Sequence, residues 1–302
     1  MAKITTKTEN MSVTSAINTA LIRGEKNIVA TSGEHFVKHA FICLSTTDVN
    51  LDGNNCCIFG SGNVLEIKNA EDVKIKNFTF SSESEKDFTV NVAKSKNVIF
   101  ENCSFSSKTG CFVISDSQNV TLKNCEFSSE EGNGICILNN CVINVENCNF
   151  TLSSGEGITI VDNKDGMVTI HNNSFKRCFL AVKSSGRNVL KITNNYFLTY
   201  SSALEFFPSI ATVEEQGIHK AEIRYNLFDE CCKDAGEATI VIKGENKGYT
   251  HKEITILENI FSQKERPVIN ATSVNYLIFK ENNVHTNGES TVENCIINGI
   301  RA

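Results

Sequence analysis

The sequence is poor in proline, has no long apolar run and carries no block of basic residues. Only 2 of its 302 residues are proline. No stretch approaches the roughly 18 consecutive apolar residues of a membrane-spanning helix, and the opening MAKITTKTEN lacks the apolar segment of a secretory signal. With 29 basic against 35 acidic residues, the chain offers no electrostatic footprint for nucleic acid. An apolar fraction of 40% excludes a disordered chain, so we expect a globular protein that contacts neither a membrane nor nucleic acid.

The 13 cysteines contain no CxxC pair and no zinc-finger spacing. Cys103, Cys125 and Cys148 each stand two residues before a phenylalanine, within segments that have the pattern of strands. Free cysteine behaves at such positions as a small buried hydrophobe. We therefore predict reduced, structural thiols and no metal site. Folding in a reducing cytoplasm is the compartment that this prediction favours.

One pattern recurs down the chain and closes on phenylalanine, as in DVKIKNFTF, NVIFENCSF and NVTLKNCEF. The closing residues are Phe80, Phe105, Phe127, Phe150, Phe175, Phe197, Phe228 and Phe261. Their separations are 22–25 residues except for the last two, which are 31 and 33. A further copy ends in Val284. A period this short indicates a solenoid with one turn per repeat, because a propeller blade needs about 40 residues.

Apolar and polar residues alternate within each copy, which is typical of a strand with one face on a core. Positions −7 and −5 from the phenylalanine are apolar, as in Val73 and Ile75. A second apolar strand follows between copies, at 111–115, 134–138, 157–161, 179–183, 203–207 and 239–243. The sequence therefore predicts an all-β fold, a right-handed parallel β-helix solenoid with 22–25 residues per coil.

Two polar columns precede the phenylalanines. Position −3 holds Asn77, Asn102, Asn124, Asn147, Asn172 and Asn194. Asparagine tolerates left-handed backbone, and its amide can bond the same group one coil away. Position −2 holds three cysteines and then Asn173, Asn195, Asn226, Asn259 and Asn282. A phenylalanine stack, an asparagine ladder and a cysteine stack in one repeat resemble the right-handed β-helices of the pectate-lyase-like superfamily. The resemblance covers about residues 28–300, and that superfamily includes lyases, hydrolases, phage tailspikes and non-catalytic scaffolds.

The ends of the chain depart from the repeat. Residues 1–27 are predicted as a cap segment with an amphipathic helix at 12–22, which begins after Ser12 or Thr14. Residues 28–302 are predicted as one β-helix domain, with insertions near 208–220 and 244–252. The segment VNLDGNNCCIFGSG is similar to the opening of phage and bacterial members of the superfamily. The final VENCIINGIRA shows no helical cap, so the last coil is closed by its own tail or by another subunit, which makes a homo-oligomer an alternative.

Outward residues of the second strand form two neighbouring columns in the predicted alignment. One holds Ser115, Leu138, Val161, Lys183 and Phe207, and the other Val113, Cys136, Thr159, Ala181 and Glu205. This face is interpreted either as covered by a loop or a partner subunit, or as a sugar-stacking platform around Phe207. In the second interpretation, Glu205, Arg187 and Lys243 are further candidates for binding the substrate.

A polysaccharide lyase needs a base that removes the C5 proton of a uronic acid. Lys183 is the candidate, because LAVKSSGRN looks like the lysine-bearing strand of alginate and chondroitin lyases. In those lyases an arginine follows one coil later in the same column, whereas the predicted alignment places Phe207 there. Their acidic metal-binding set is not recognisable. We predict no cofactor; Ca²⁺ is the one candidate ion, and the sequence contains no recognisable ligand set for it.

A glycoside hydrolase needs two carboxylates, roughly 5–9.5 Å apart. Asp116 and Asp162 share a column two coils apart, or about 9.6 Å, with Asn139 between them. His171 is a further catalytic candidate. Its own column alternates in charge, so cross-strand pairing is the other explanation for it. That column holds Lys76, Glu101, Lys123, Glu146, His171, Thr193 and Arg224.

Two classes of function follow. The first is a β-helix protein of phage-tail or bacterial type that recognises a polysaccharide, either as a lyase, as a hydrolase or without activity. The second is a non-catalytic intracellular or virion scaffold. A virion protein satisfies both, because it folds in a cytoplasm and acts outside the cell.

Overall fold

The computed structural model describes residues 2–3, 12–37, 42–164, 166–209, 217–245, 248–297 and 300–301. In these residues the chain winds through eleven coils of a parallel β-helix. Each coil contributes three strand positions, which we name the first, second and third columns in chain order. Each strand pairs in parallel with its counterparts in the neighbouring coils. The predicted solenoid is confirmed.

The strand bounds of each column follow from this stacking. The first column holds Asn27–Val29, Lys96–Glu101, Gln118–Lys123, Val142–Glu146, Met167–His171, Val189–Thr193, Lys220–Arg224, His251–Leu257, Val274–Lys280 and Ile296–Ile297. The second holds Gly33–Val37, Ser104–Ser107, Glu126–Ser129, Asn149–Leu152, Ser174–Cys178, Tyr196–Thr199, Leu227–Asp229, Ile260–Ser262 and Asn283–His285. Two long strands, Thr47–Gly60 and Glu71–Ser82, run through both columns.

The third column is a separate sheet. It holds Ile42–Leu44, Leu65–Lys68, Val90–Ala93, Gly110–Ser115, Asn133–Leu138, Glu156–Val161, Leu180–Ser185, Leu204–Phe207, Ile240–Ile242, Ile269–Thr272 and Thr291–Glu293. At the two ends, Ala2–Lys3 pairs in parallel with Asn27–Val29, and Ile300–Arg301 pairs antiparallel with Ile296–Ile297.

Stacked phenylalanine rings form the centre of the core. The rings from Phe80 to Phe261 are all buried, and neighbouring ring centroids lie 4.5–5.9 Å apart. The spacing follows from the strand register, which places each phenylalanine beside the one in the next coil. Burying a side chain of this size contributes about 1.5–3 kcal/mol. The repeat in the sequence therefore marks a continuous buried stack that stabilises successive coils.

The asparagines at position −3, which we name the corner asparagines, make the turn between the first and second columns. All six, from Asn77 to Asn194, have a positive φ between 53° and 59°. Their amides connect neighbouring coils, as in the 3.2 Å bond from Asn124 Nδ2 to Asn102 Oδ1. Asparagine is selected here because its short polar side chain tolerates the left-handed region.

A second column of amides lies inside the turn. This inner ladder consists of Asn173, Asn195, Asn226, Asn259 and Asn282. From Asn173 to Asn259, each Nδ2 donates to the Oδ1 one coil further on at 3.0 Å, and Asn282 ends the series. Earlier coils fill the same position with Cys103, Cys125 and Cys148, and the backbone N–H of Cys125 donates to the Cys148 sulfur at 3.4 Å. The ladder and the cysteine stack satisfy buried backbone groups that the turn leaves unpaired.

A short helix covers the first coils. It spans Val13–Ile22, and the side chain of Ser12 caps it by accepting a hydrogen bond from Ser15 N at 3.2 Å. Val13, Ile17 and Ala20 are buried. The predicted capping helix is confirmed. The division of the chain at residue 27 stays a prediction, and residues 210–216 and 246–247 of the predicted insertions lie outside the described residues.

All twelve cysteines whose side chains are described are free thiols. Burial raises the pKa of Cys111, Cys178 and Cys231 to about 12 in each case. Such thiols are unreactive and fill the core. The free and largely buried thiols agree with the predicted structural role, whereas their reduced state in a cytoplasm stays a prediction. No helix in the described ranges is long and apolar enough to cross a membrane.

Candidate functional site

The outer face of the third column carries the candidate site, with one correction to the predicted alignment. Lys183 pairs with Thr159 in the previous coil and with Glu205 in the next. The prediction that it shares a column with Val161 and Phe207 is wrong by two residues, since Ser185 holds that position.

A buried serine explains the error. The strand runs Leu180–Ser185, and Ser184 occupies a core position where neighbouring coils have Ile160 and Phe206. Ser184 is tolerated there because Asn188 Nδ2 donates to its hydroxyl at 2.7 Å. The prediction took the core face to be apolar throughout, so it ended the strand too early.

The corrected register places a carboxylate, Glu205, where alginate and chondroitin lyases are expected to have an arginine. Lys183 itself is engaged in an ion pair, since its Nζ lies 2.7 Å from Glu156 Oε1. The hydroxyl of Thr159 donates to the other oxygen of the same carboxylate. We name Glu156, Thr159, Lys183 and Glu205 the carboxylate–lysine cluster.

Glu205 is the half-buried acid of this cluster. Burial raises its pKa, and the attraction of Lys183 and Lys243 offsets that rise only in part. The charge of Glu156 acts in the same direction as burial. A carboxyl group that keeps its proton at a higher pH than an ordinary glutamate is suited to donate it in a reaction.

The other substrate-binding candidates lie on the same side of the solenoid. Phe207 ends the strand Leu204–Phe207 and is partly exposed. Arg187 lies in the turn that follows Leu180–Ser185. Lys243 is exposed and forms an ion pair with Glu237, with 2.7 Å between Nζ and Oε1. The third-column face therefore combines an aromatic ring, two lysines and the carboxylates of the cluster, and Arg187 lies in the turn beyond it.

Asp116 and Asp162 lie at the corner that follows the third column. Both have a φ of 47°, and Asn139 between them has 57°. A Cβ on Gly186, in the next coil, would lie 2.1 Å from Asp162 Oδ1, so this carboxylate rests against a glycine that leaves room for it. The predicted shared column is confirmed. Their catalytic role stays a prediction.

His171 lies on the first column, on a different sheet from the cluster. It pairs with Glu146 and Thr193, and its Nδ1 is 2.9 Å from Thr193 Oγ1. One step earlier in the same column, Lys123 Nζ lies 2.8 Å from Glu146 Oε1. The predicted ladder of cross-strand pairs is therefore present, and it accounts for His171 without a reaction.

A buried histidine connects two chain segments beside the candidate site. His251 Nδ1 accepts a hydrogen bond from Ile218 N, and Nε2 donates to Lys243 O, both at 3.0 Å. These bonds require the neutral ring with its proton on Nε2. Burial lowers the pKa of His251 to about 4. The histidine thus fixes the backbone of Lys243 as long as it is neutral.

Acid is expected to release this connection. The unfolded chain binds a proton at His251 below about pH 6.5 and the folded chain only near pH 4, so stability is lost as the pH falls between these values. The loss amounts to about 3 kcal/mol by pH 4. Urea unfolding at several pH values checks this against His251→Gln, which cannot be protonated. Parallel pH profiles for the two proteins would contradict the assignment.

The stack of parallel coils makes the protein a parallel β-helix, and the carboxylate–lysine cluster lies on the outer face of one of its sheets. The family model described as "Right handed beta helix region" matches residues 25–175 and 63–207, and the chain belongs to this family. No curated protein matches the chain significantly in sequence.

Solved structures share the fold at low identity. A tailspike protein mutant of E. coli bacteriophage HK620, in complex with a pentasaccharide, matches 94% of this chain with a TM-score of 0.65 and 12% identity. This chain spans 60% of the length of that tailspike. A Yersinia enterocolitica family 28 exopolygalacturonase matches 98% of this chain and 77% of its own, with a TM-score of 0.62 and 11% identity. These likenesses confirm the right-handed β-helix fold.

Proposed function

We propose that the protein binds a polysaccharide across the outer face of the third column and hydrolyses it there. Glu205 donates the proton to the leaving oxygen, and Glu156 is the second carboxylate. The observation that carries this proposal is the half-buried Glu205, whose pKa is raised, one coil from the ion pair between Lys183 and Glu156. Structural neighbours that act on or bind saccharides support the substrate class.

The two carboxylates lie on the same sheet, on either side of Lys183. Lys183 lies in the coil between the strands of Glu156 and Glu205, and its Nζ reaches back to Glu156. The strands of the two glutamates are therefore two spacings apart, about 10 Å, and Glu156 begins its strand three residues before the level of Glu205. Hydrolysis requires the two side chains to bring their carboxyl groups within the roughly 5–9.5 Å that glycoside hydrolases use. Lys183 and Lys243 would in addition attract acidic groups on the polymer.

The ion pair of Lys183 favours hydrolysis over elimination. A lyase base must be free to accept a proton, whereas the Lys183 ammonium donates to Glu156. Two alternatives remain: Lys183 as a lyase base, and Asp116 with Asp162 as a hydrolytic pair. Substitutions of these residues would distinguish them. A virion-associated protein would fit the tailspike likeness, and a scaffold without activity is the opposing proposal.

Incubation with a panel of acidic and neutral polysaccharides tests the proposal. We expect new reducing ends without the absorbance of unsaturated sugars, together with retention of the protein on the same polymer. Absorbance that disappears in Lys183→Ala would overturn hydrolysis in favour of a lyase. Retention without cleavage would indicate a binding protein without activity. Neither retention nor cleavage with any polymer of the panel would favour the scaffold.

A further inference from the structure

The corner position departs from asparagine in the last three copies of the repeat, where it holds Tyr225, Glu258 and Glu281, all with a positive φ. After six asparagines, the corner position holds Tyr225, with a φ of 58°. A tyrosine adopts this left-handed conformation less readily than asparagine, because its Cβ crowds the backbone and its ring cannot bond the turn as a short amide does. Its hydroxyl interacts with Glu258, at the corner of the next coil. Residues held in such conformations cluster at binding sites. The left-handed conformation of Tyr225 therefore points to a binding role for its side chain.

Tyr225 lines a depression on the outer face of the second column. Its side chain is 53% exposed. The depression has a volume of about 370 Å³ and is also lined by Tyr196, Leu227, Ser174 and Asn194. We name Tyr196, Tyr225 and Leu227 the tyrosine face.

The ring of Tyr196 is held in place by its neighbours. Its hydroxyl donates to Asp229 Oδ2 at 2.9 Å, and Lys176 Nζ lies 5.5 Å from the ring centroid. The two charges beside the ring have opposite sign, so this part of the face attracts neither anions nor cations strongly. An ordered ring without excess charge is a suitable platform for an uncharged ligand.

A second depression continues from the tyrosine face toward the N-terminal coils. It has a volume of about 490 Å³ and shares Ser174 with the first. Ser128, Asn149 and Thr151 line it. Ser128 and Thr151 are paired on adjacent coils, and Asn149 lies on the same strand as Thr151. Among the described residues these three side chains have no hydrogen-bond partner within the protein. Their hydroxyl and amide groups are therefore available to a ligand.

Aromatic rings followed by a row of hydroxyl and amide groups match the chemistry of a sugar chain. A pyranose ring presents an apolar face of C–H groups, which packs on an aromatic ring, and hydroxyls at its rim, which exchange hydrogen bonds with such polar groups. We propose that the outer face of the second column is a second glycan-binding surface, with the tyrosine face as its platform for an uncharged stretch of polysaccharide. This inference rests on the proposed function. The surface itself lies on a different sheet from Glu205.

The test uses the residue that the repeat itself prefers. Tyr225→Asn restores the asparagine of the corner position, so the midpoint of thermal unfolding is expected to stay unchanged or to rise. Affinity electrophoresis in gels that contain dextran, galactomannan or xyloglucan measures binding. We expect the wild type to be retarded in at least one gel and Tyr225→Asn to bind that polymer about tenfold more weakly, which corresponds to about 1.4 kcal/mol.

Two control variants separate this inference from its alternatives. Glu281→Asn makes the equivalent change at another corner position, with a φ of 56°, and should leave retardation unchanged. Glu205→Gln should also remain retarded. Retardation that survives Tyr225→Asn would overturn the inference and leave the proposed function standing. A wild type that none of the three polymers retards would also overturn it. An oligomer in sedimentation that Tyr225→Asn dissociates, with retardation intact, would show a subunit interface instead.

Discussion

Glu205→Gln is expected to slow the release of reducing ends at least 100-fold, while the protein still binds the polysaccharide. Glutamine keeps the shape of the side chain but cannot donate an acidic proton to the leaving oxygen. General acid catalysis contributes a factor of about 10²–10⁴, which sets the expected size of the effect. Initial rates at saturating polymer measure it, because a change that acts on proton transfer appears in kcat rather than in KM.

The pH profile of the wild type gives an independent check. Since burial raises the pKa of Glu205, the acid form persists at a pH where an ordinary glutamate has lost its proton. Activity should therefore decline on the alkaline side at a higher pH than an exposed glutamate would allow. Glu222→Gln makes the same substitution on the first column, away from the cluster, and should change the rate less than twofold. Rates within twofold of the wild type for Glu205→Gln would remove Glu205 from the mechanism.

The fold was predictable because one physical requirement repeats in every coil. Each coil needs a ring at the same core position and a residue that tolerates a left-handed turn, so phenylalanine and asparagine recur with the period of the chain. The corner asparagines from Asn77 to Asn194 all have the predicted conformation. Sequence pattern and structure agree wherever a position demands one residue type.

The sequence pattern did not reveal positions that several residue types can fill. The corner after the third column contains a second buried polar column, which connects Ser117, Cys141, Asn163 and Asn188 through bonds from a backbone N–H to the side chain one coil later. Three residue types perform one role there, so no repeat is visible in the sequence. Ser184 misled the strand alignment for the same reason: a buried polar residue with a partner substitutes for an apolar one.

The candidate site was predictable only in part. Lys183 and Glu205 were recognised as outward residues of the same face. Glu156 was missed, because it precedes its apolar run GITIV and only the stacking of coils brings its carboxylate to Lys183. Contacts between side chains of different coils depend on register, and register is the property that the buried serine concealed.

The inner ladder should be the most sensitive part of the fold. We expect Asn226→Ala to lower the free energy of unfolding by about 4 kcal/mol. The Asn226 side chain makes four hydrogen bonds: Nδ2 donates to Ile192 O and to Asn259 Oδ1, and Oδ1 accepts from the backbone N and the Nδ2 of Asn195. Alanine removes all four bonds: Asn195 Nδ2 keeps its bond to Ile170 O and Asn259 Oδ1 keeps the bond from the backbone N of residue 226, whereas the backbone N–H of Asn195 loses its side-chain acceptor. Urea unfolding measures the loss.

Two further variants show whether the ladder bonds cause that loss. Asn194→Ala removes the corner asparagine of the neighbouring coil, which is exposed, and should cost about 1 kcal/mol because alanine must adopt the left-handed turn. Asn226→Cys places at this position the residue that earlier coils use. The sulfur of Cys148 donates to Leu122 O and accepts from Cys125 N, both at 3.4 Å. Cysteine should therefore restore about half of the stability, since it replaces the bonds to the backbone but not those between amides. Equal losses for Asn226→Ala and Asn226→Cys would show that side-chain volume, rather than hydrogen bonding, explains the effect.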